Sequence, residues 1–372
     1  MNEKMKQIKI MILTSYYTGH GHASIANALS ATLDEYKIEY VVVESLNLSW
    51  RIIRRLCKQY GKVTNKVPWF WGLYFKFIHN HHTLTNRILK IACKRKFLSV
   101  VKKHEPDVVV SVHPMFVGCI LDIIEEKELD IKFHTIIADL VSINRLWVDK
   151  RSDLIFCPTV ESLAFAKNIV LREDKLKKST IPTRREINEV ASQLVLSEQS
   201  DEQADVNCII MSGGEGSGDM ERIVEALLEH PKTNITVVTG RNKRLYKKLH
   251  IKYQMNERVT VCGFVKEIYD LIPKHDIAIV RASPNVLMEC INLLMPIITT
   301  GYLPGQEKGN DKWIQAQGLG LICNKPSELV GLIDKYITND RELLKEIRNN
   351  QSQYRELAAA NQIIDTIMQY DK

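Results

Sequence analysis

The sequence predicts an α/β chain folded as two Rossmann-like domains facing a central cleft. Three observations support this. Short apolar, β-branched runs alternate with amphipathic segments, the rhythm of a parallel, doubly wound sheet. The rhythm breaks once, at the polar, acidic stretch 196–206 (LSEQSDEQADV), and then restarts. Glycine-rich loops follow the first strand of each half, where a doubly wound sheet offers its strands' carboxyl ends to a ligand. A length of 372 residues suits two domains of about 100–200 residues each.

Residues 9–14 read as the first strand, and 23–35 as a helix with Ile25, Ala28, Leu29 and Leu33 on one face. Strands follow at 39–43, at 107–112 behind Pro106, at 133–138 and at 154–157. The acidic stretch is read as the linker, so the first domain is 1–195 and the second 206–350. In the second, strands are expected at 208–211, 235–239, 259–261, 277–280 and 296–300, and helices at 219–228, 244–249 and 286–294. The end of the chain is helical in pattern, and 351–372 is expected to cross back to the first domain.

An apolar fraction of 45% and a charged fraction of 26% are ordinary for a soluble globular protein. No run approaches the roughly 18–20 apolar residues of a membrane span. The apolar run behind the basic N-terminus is too short for a signal-peptide core. The eight cysteines are dispersed without a CxxC pair, which argues for a reducing, cytoplasmic setting and against a disulfide framework or zinc site. No metal ligand set and no cofactor are expected.

Charge is uneven. No acidic residue occurs between Glu44 and Glu105, and residues 51–103 hold fourteen Lys/Arg, so an overall charge of +7 leaves −7 for the remainder. The same segment carries Tyr60, Trp69, Phe70, Trp71, Tyr74, Phe75, Phe77 and Phe97. Basic charge beside Trp69-Phe70-Trp71 suits an anionic membrane surface. A solvated basic face around a buried aromatic cluster fits the same residues. Nucleic acid is not expected, since no zinc-finger, RRM or helix-turn-helix pattern accompanies the charge.

Four loops carry the candidate chemistry. Thr18-Gly19-His20-Gly21-His22 follows the first strand; Gly19 and Gly21 let the backbone approach a ligand at a helix start. The spacing is not GxGxxG, which weakens a dinucleotide reading. His22 fits either a catalytic residue or a helix cap. Ser212-Gly213-Gly214-Glu215-Gly216-Ser217-Gly218 opens the second half with four glycines in seven residues, suited to wrapping an anionic group. It lacks the Lys-Ser/Thr of a P-loop. Arg281-Ala282-Ser283-Pro284-Asn285 puts a charge at a strand end, an N-cap serine and a first-turn proline before a helix carrying Glu289. That helix start attracts a diphosphate, and Glu289 reaches ribose hydroxyls; a plain capped helix with a surface Glu fits too. In Leu303-Pro304-Gly305-Gln306-Glu307-Lys308-Gly309-Asn310, Gln306 and Glu307 are candidates for sugar hydroxyls. Asp139, at the end of a first-half strand, suits either a general base or a cap.

These residues resemble the family of plant-type monogalactosyldiacylglycerol synthases and bacterial processive diacylglycerol glucosyltransferases and, more distantly, the peptidoglycan N-acetylglucosaminyltransferase. The resemblance runs from Thr14 to about Asn310. It rests on Gly213-Gly214-Glu215-Gly216, Thr239-Gly240-Arg241-Asn242, Gly263-Phe264-Val265 and Pro304-Gly305-Gln306-Glu307, with Gly19-x-Gly21-His22 and Ala138-Asp139-Leu140 in the first half. It implies the metal-independent GT-B fold, with an acceptor- and membrane-binding first domain and a nucleotide-sugar-binding second domain. It implies inverting transfer of a hexose from a UDP-sugar to a hydroxyl of a membrane lipid such as diacylglycerol, on the inner face of the membrane. The glycine loop with Gly240 and Arg241 would line the nucleotide, Gly263, Phe264 and Val265 the uracil, Glu289 the ribose, and Gln306 and Glu307 the sugar. His22 and Asp139 would face the acceptor.

Three departures stand out. Arg281-Ala282-Ser283-Pro284 replaces the family's Lys-x-Gly-Gly or Arg-Ser-Gly-Ala, so Pro284 removes one amide donor. Asn144 stands where a His is common, and Thr180-Ile181-Pro182-Thr183-Arg184 replaces Gly-x-Pro-x-Arg. A soluble natural-product acceptor, or nucleotide-sugar binding without transfer, are the alternatives.

Overall fold

The computed structural model describes residues 8–18, 20–59, 61, 64, 67–194, 205–212, 219–339 and 341–371. It divides into two compact units. One comprises Met1–Arg184, Pro304–Gln306 and Ala358–Lys372, the other Arg185–Leu303 and Glu307–Leu357.

The first unit is built on a six-stranded sheet in the order β2-β1-β3-β4-β5-β6. Its strands are β1 Ile10–Thr14, β2 Tyr40–Glu44, β3 Val108–Ser111, β4 Lys132–Ile136, β5 Leu154–Cys157 and β6 Leu176–Lys178. All pairings are parallel, with Ile10 opposite both Tyr40 and Val108. A strand covered on both faces needs an apolar side chain at every position, and β1 (IMILT) is buried throughout. Met11, Leu13, Phe97, Phe116 and Phe133 form one side of the core. Helix Gly21–Glu35 buries Ile25, Ala26, Leu29 and Leu33, and the final helix, Ala359–Tyr370, packs against it with Ile363, Ile364 and Ile367 buried.

The second unit repeats the plan in the order β12-β11-β10-β7-β8-β9. Its strands are β7 Val206–Met211, β8 Thr233–Val238, β9 Val259–Cys262, β10 Ile277–Val280, β11 Ile297–Thr299 and β12 Gly320–Ile322. These too are all parallel. In each unit the strand order reverses once, between β1 and β3 and between β7 and β10. A parallel sheet opens a crevice at such a reversal, beyond the strands' carboxyl ends.

The structure departs from the sequence-based expectations in three places. Strands β6 and β12 were not anticipated; each is three residues long and holds lysines or a glycine. The units divide at Arg184, before the acidic stretch, because helix Arg185–Gln193 buries Ile187 and Ala191 and meets helices Ile268–Leu271 and Pro284–Asn292 of the second unit. Most of that stretch, 196–204, lies outside the described residues. The basic segment is largely helical, at Arg51–Cys57, Pro68–Asn80 and His82–His104. All eight cysteines are free thiols, and burial raises Cys157 to about 12.

Candidate active site

In the first unit the loops after β1, β3 and β4 leave the same edge of the sheet. Gly19 lies outside the described residues; Gly21 opens the helix after β1. The N-cap of that helix is His20, without a side-chain cap bond, so His22 is not the cap. His22 is buried, at 8% exposure. Desolvation lowers its pKa to about 4, partly offset by a hydrogen bond to the Val112 backbone, so the ring is neutral at physiological pH. Its Nδ1 has no hydrogen-bond partner.

The His22 ring lies 4.6 Å from the ring of His113 and 6.0 Å from that of Trp147. The indole Nε1 of Trp147 donates to Asp139 Oδ2 at 2.6 Å, and Gln306 Nε2 donates to Asp139 Oδ1 at 3.3 Å. Asp139 is 2% exposed, and neither of these bonds is a helix cap. Asn144 does cap: its Oδ1 accepts from Leu146 N at the start of the turn Arg145–Trp147. The two catalytic candidates, distant in sequence, thus meet on one tryptophan. His113 and Trp147 were not singled out from the sequence. His113 had a positional signal, the residue two beyond β3; Trp147 had none.

Gln306 comes with the Pro304–Gln306 segment of this unit. Gly305 has φ +87°, and a Cβ there would lie 3.0 Å from the Phe75 ring system's Cβ, so both conformation and space demand glycine. A Cβ on Gly72 would already sit 3.1 Å from that of Pro304. One stripe of helix Pro68–Asn80 therefore rests on this turn. Phe75 O accepts from Asn144 Nδ2, and His79 Nδ1 accepts from Arg145 N, on the same side.

The other stripe of that helix is bare: Trp69, Phe70, Leu73 and Phe77 are 62%, 51%, 59% and 54% exposed. Helix His82–His104 adds exposed Leu84, Ile88 and Ile91 on one line, while Leu89, Ala92, Cys93 and Phe97 form a separate buried line. Of the aromatic residues in the basic segment, Phe97 is core, Trp71 and Phe75 are half-buried, and Tyr60 lies outside the described residues. Arg51, Arg55, Lys76, Arg87 and Arg95 are exposed. Lys90 and Lys94 instead pair with Glu126, and Lys96 donates to the Asn47 and Ser49 carbonyls. Among the described residues no helix is long and apolar enough to cross a membrane.

In the second unit, the loops after β8 to β11 also share one edge. Ser212 is buried at the end of β7; Gly213, Gly214, Glu215, Gly216 and the rest of 213–218 lie outside the described residues. After β8, Gly240 takes φ +58°, and Asn242 caps helix Lys243–Tyr253 by accepting from Leu245 N. The Arg241 guanidinium lies 4.3 Å over the exposed Phe264 ring, joining the loops after β8 and β9. Gly263 and Val265 flank that ring, both half-buried.

Arg281 follows β10, with Nη2 donating to Glu307 Oε1 at 3.1 Å and Nε lying 3.0 Å from Oε2, off the hydrogen-bonding direction. Glu307 also accepts from Leu303 N at 2.6 Å and is 4% exposed, which braces the loop after β11. The Gln306 amide is likewise engaged, on Asp139. Ser283 holds the N-cap position and Pro284 the first helical one, as the sequence predicts, but the serine hydroxyl makes no cap bond. Asn285 and Glu289 are half-buried on that helix. Asn310 Nδ2 donates to Ala282 O at 3.0 Å, tying the loops after β10 and β11 together.

The Monogalactosyldiacylglycerol (MGDG) synthase family matches residues 22–183. Chloroplastic monogalactosyldiacylglycerol synthase from Spinacia oleracea is 27% identical over 354 residues, which is 88% of this chain. The chain spans 66% of that protein's length. Processive diacylglycerol beta-glucosyltransferase from Staphylococcus carnosus is 24% identical over 343 residues, covering 90% of this chain and 86% of that protein. Among solved structures, the S. aureus MnaA-UDP co-structure aligns with a TM-score of 0.64 at 14% identity, covering 98% of this chain and 96% of that one. Acinetobacter baumannii MurG aligns with a TM-score of 0.63 at 13% identity, covering 97% and 99%. The chain has the two-Rossmann GT-B fold and resembles, over most of its length, the family of monogalactosyldiacylglycerol synthases and processive diacylglycerol glucosyltransferases.

Proposed function

We propose that the chain is an inverting glycosyltransferase that moves a hexose from a UDP-sugar to a hydroxyl of a lipid such as diacylglycerol, at the inner face of a membrane. The convergence of His22 and Asp139 on Trp147 carries this reading, since it gives one site two proton acceptors of different kinds. The activities that name the spinach and Staphylococcus relatives support a lipid acceptor, and the UDP of the MnaA structure supports the donor.

The chemistry is a single displacement. The acceptor hydroxyl loses its proton to His22 or Asp139 as its oxygen bonds the anomeric carbon. The bond from that carbon to the diphosphate breaks, and UDP leaves with the electron pair, inverting the centre. His22 offers an unpartnered Nδ1 on a neutral ring, and Asp139 is held in one orientation by its two donors. The start of helix Pro284–Asn292 and Arg281 meet the developing diphosphate charge. Glu307 offsets part of the Arg281 charge, so the helix start takes the larger share. The exposed apolar stripes, with the exposed arginines beside them, dock the first unit on anionic lipid.

The test is UDP release from UDP-glucose and UDP-galactose in the presence of diacylglycerol vesicles. Turnover is expected with at least one donor and is expected to persist in EDTA. No turnover with any UDP-sugar and any lipid extract overturns the proposal. Turnover only with soluble acceptors, and no flotation with vesicles, overturns its membrane part.

A further inference from the structure

We propose that His113 is the positioning residue for His22, clamping the loop before it through Thr18 and bearing on the His22 ring. This rests on the assignment of His22 to proton transfer above.

His113 follows β3, and His22 opens the helix after β1; these are the two strands flanking the order reversal. The imidazole is 3% exposed and boxed between rings, 4.6 Å from His22 and 5.5 Å from Phe116. Its own backbone is held by Ser111, whose Oγ donates to the His113 carbonyl at 3.0 Å.

Both ring nitrogens have defined roles. Met115 N–H donates to His113 Nδ1 at 3.3 Å, so Nδ1 carries no proton. In the neutral ring the proton is then on Nε2, which donates to Thr18 Oγ1 at 3.0 Å. Burial, and secondarily the charge that His22 would carry, holds the His113 pKa well below its usual value, so this single tautomer persists. Among the described residues, His113 lies against the His22 ring, and Asp139 lies across the Trp147 indole.

A buried histidine whose partners lay within its own loop would be structural. His113 instead reaches a residue 95 positions away, four before His22, in a segment holding two glycines. The bond fixes the Thr18 side chain four residues ahead of His22. The same ring then fills one side of the His22 pocket and keeps water from it.

Three variants separate this role from a packing role. His113→Asn keeps an acceptor for Met115 N–H but is too short to reach Thr18. His113→Gln extends an amide donor towards Thr18. Thr18→Val removes the acceptor while keeping the shape. His113→Asn and Thr18→Val are each expected to lower kcat about tenfold with KM for the UDP-sugar within about twofold. The acid limb of kcat/KM should move to higher pH as water reaches the His22 ring. His113→Gln should regain most of the loss, and the double variant His113→Asn/Thr18→Val should be no worse than the weaker single, because both break one bond. Wild-type kcat in Thr18→Val, or an acid limb that stays in place while only the melting temperature falls, overturns the proposal. Thr18 is half-buried, so Thr18→Val carries the test if His113→Asn does not fold. Full turnover in His22→Ala would overturn the base assignment beneath it. An inactive His22→Ala beside a fully active His113→Asn would overturn the clamp alone.

Discussion

Replacing Trp69 and Leu73 by serine should strip the chain from anionic vesicles. These side chains are 62% and 59% exposed on the stripe of helix Pro68–Asn80 that faces away from the Pro304–Gly305 turn. Fully burying a large apolar side chain contributes about 1.5–3 kcal/mol. Scaled by the exposed fraction, each of the two contributes about 0.9–1.8 kcal/mol on entering the lipid interface, and the pair about 1.8–3.6 kcal/mol. That corresponds to a roughly 20- to 400-fold fall in the partition coefficient. Neither residue belongs to the core, so the melting temperature should not change. Vesicle co-sedimentation across a lipid titration measures the effect. Raising the salt to about 1 M should weaken the contribution of Arg51 and Arg55, each worth about 1 kcal/mol near an anionic surface, and leave the apolar loss intact. Partitioning of the double variant within about twofold of wild type would refute the assignment of this face to lipid.

Asp139→Asn is expected to cut turnover by about a hundredfold while UDP affinity, read by calorimetry, stays within about twofold. Equal losses in both would reject a role on the acceptor side. Glu289→Ala should raise the dissociation constant for UDP about tenfold, the scale of one lost charge-assisted hydrogen bond; an unchanged constant would remove Glu289 from the ribose. The His22 pKa of about 4 lies below the ordinary 6.5, so the unfolded chain takes up a proton there first. Stability should therefore fall as pH drops from about 6.5 to about 4, by up to about 3 kcal/mol, and the fall should flatten in His22→Gln. Denaturant midpoints across that range measure it. If His22 is the base, the acid limb of kcat/KM should lie near pH 4 rather than near pH 6.5.

Which features were legible in the sequence follows from how local their causes are. β1, β7 and β10 announce themselves because burial on both faces favours nearly unbroken apolar runs, interrupted here only by Thr14 and the half-buried Asn207. β6 and β12 are too short to show any period, and neighbouring strands rather than their own residues recruit them. The helix at 185–193 shows apolar spacing at Ile187 and Ala191, yet spacing does not say which unit the stripe will meet. The site divides the same way. The positions of His22, Asp139, Arg281 and Ser283 beyond strand ends could be read because strand ends have sequence signals. The bond from Gln306 to Asp139 spans 167 residues of sequence, and no local pattern encodes it. The pairing of Glu307 with Arg281, 26 residues earlier at the end of β10, is likewise set by the fold and not by the loop's own polarity. His113 becomes readable only once β3 is known to lie beside β1.

The first unit is not contiguous along the chain. Its last helix seals helix Gly21–Glu35 with Ile363, Ile364 and Ile367, and just beyond it Asp371 Oδ2 meets the buried His134 Nε2 at 2.9 Å. During synthesis the N-terminal 184 residues emerge early but lack this cover until the final segment is made. At about 5–20 residues per second the remaining chain takes roughly 10–40 s to appear. For that interval an apolar helix face and the bare stripe of 68–80 are exposed together on a nascent chain. The second unit, by contrast, is complete at Leu357, before that last helix is made. Order of emergence and order of completion are therefore reversed, and whatever meets the nascent chain meets the first unit while it is still unfinished.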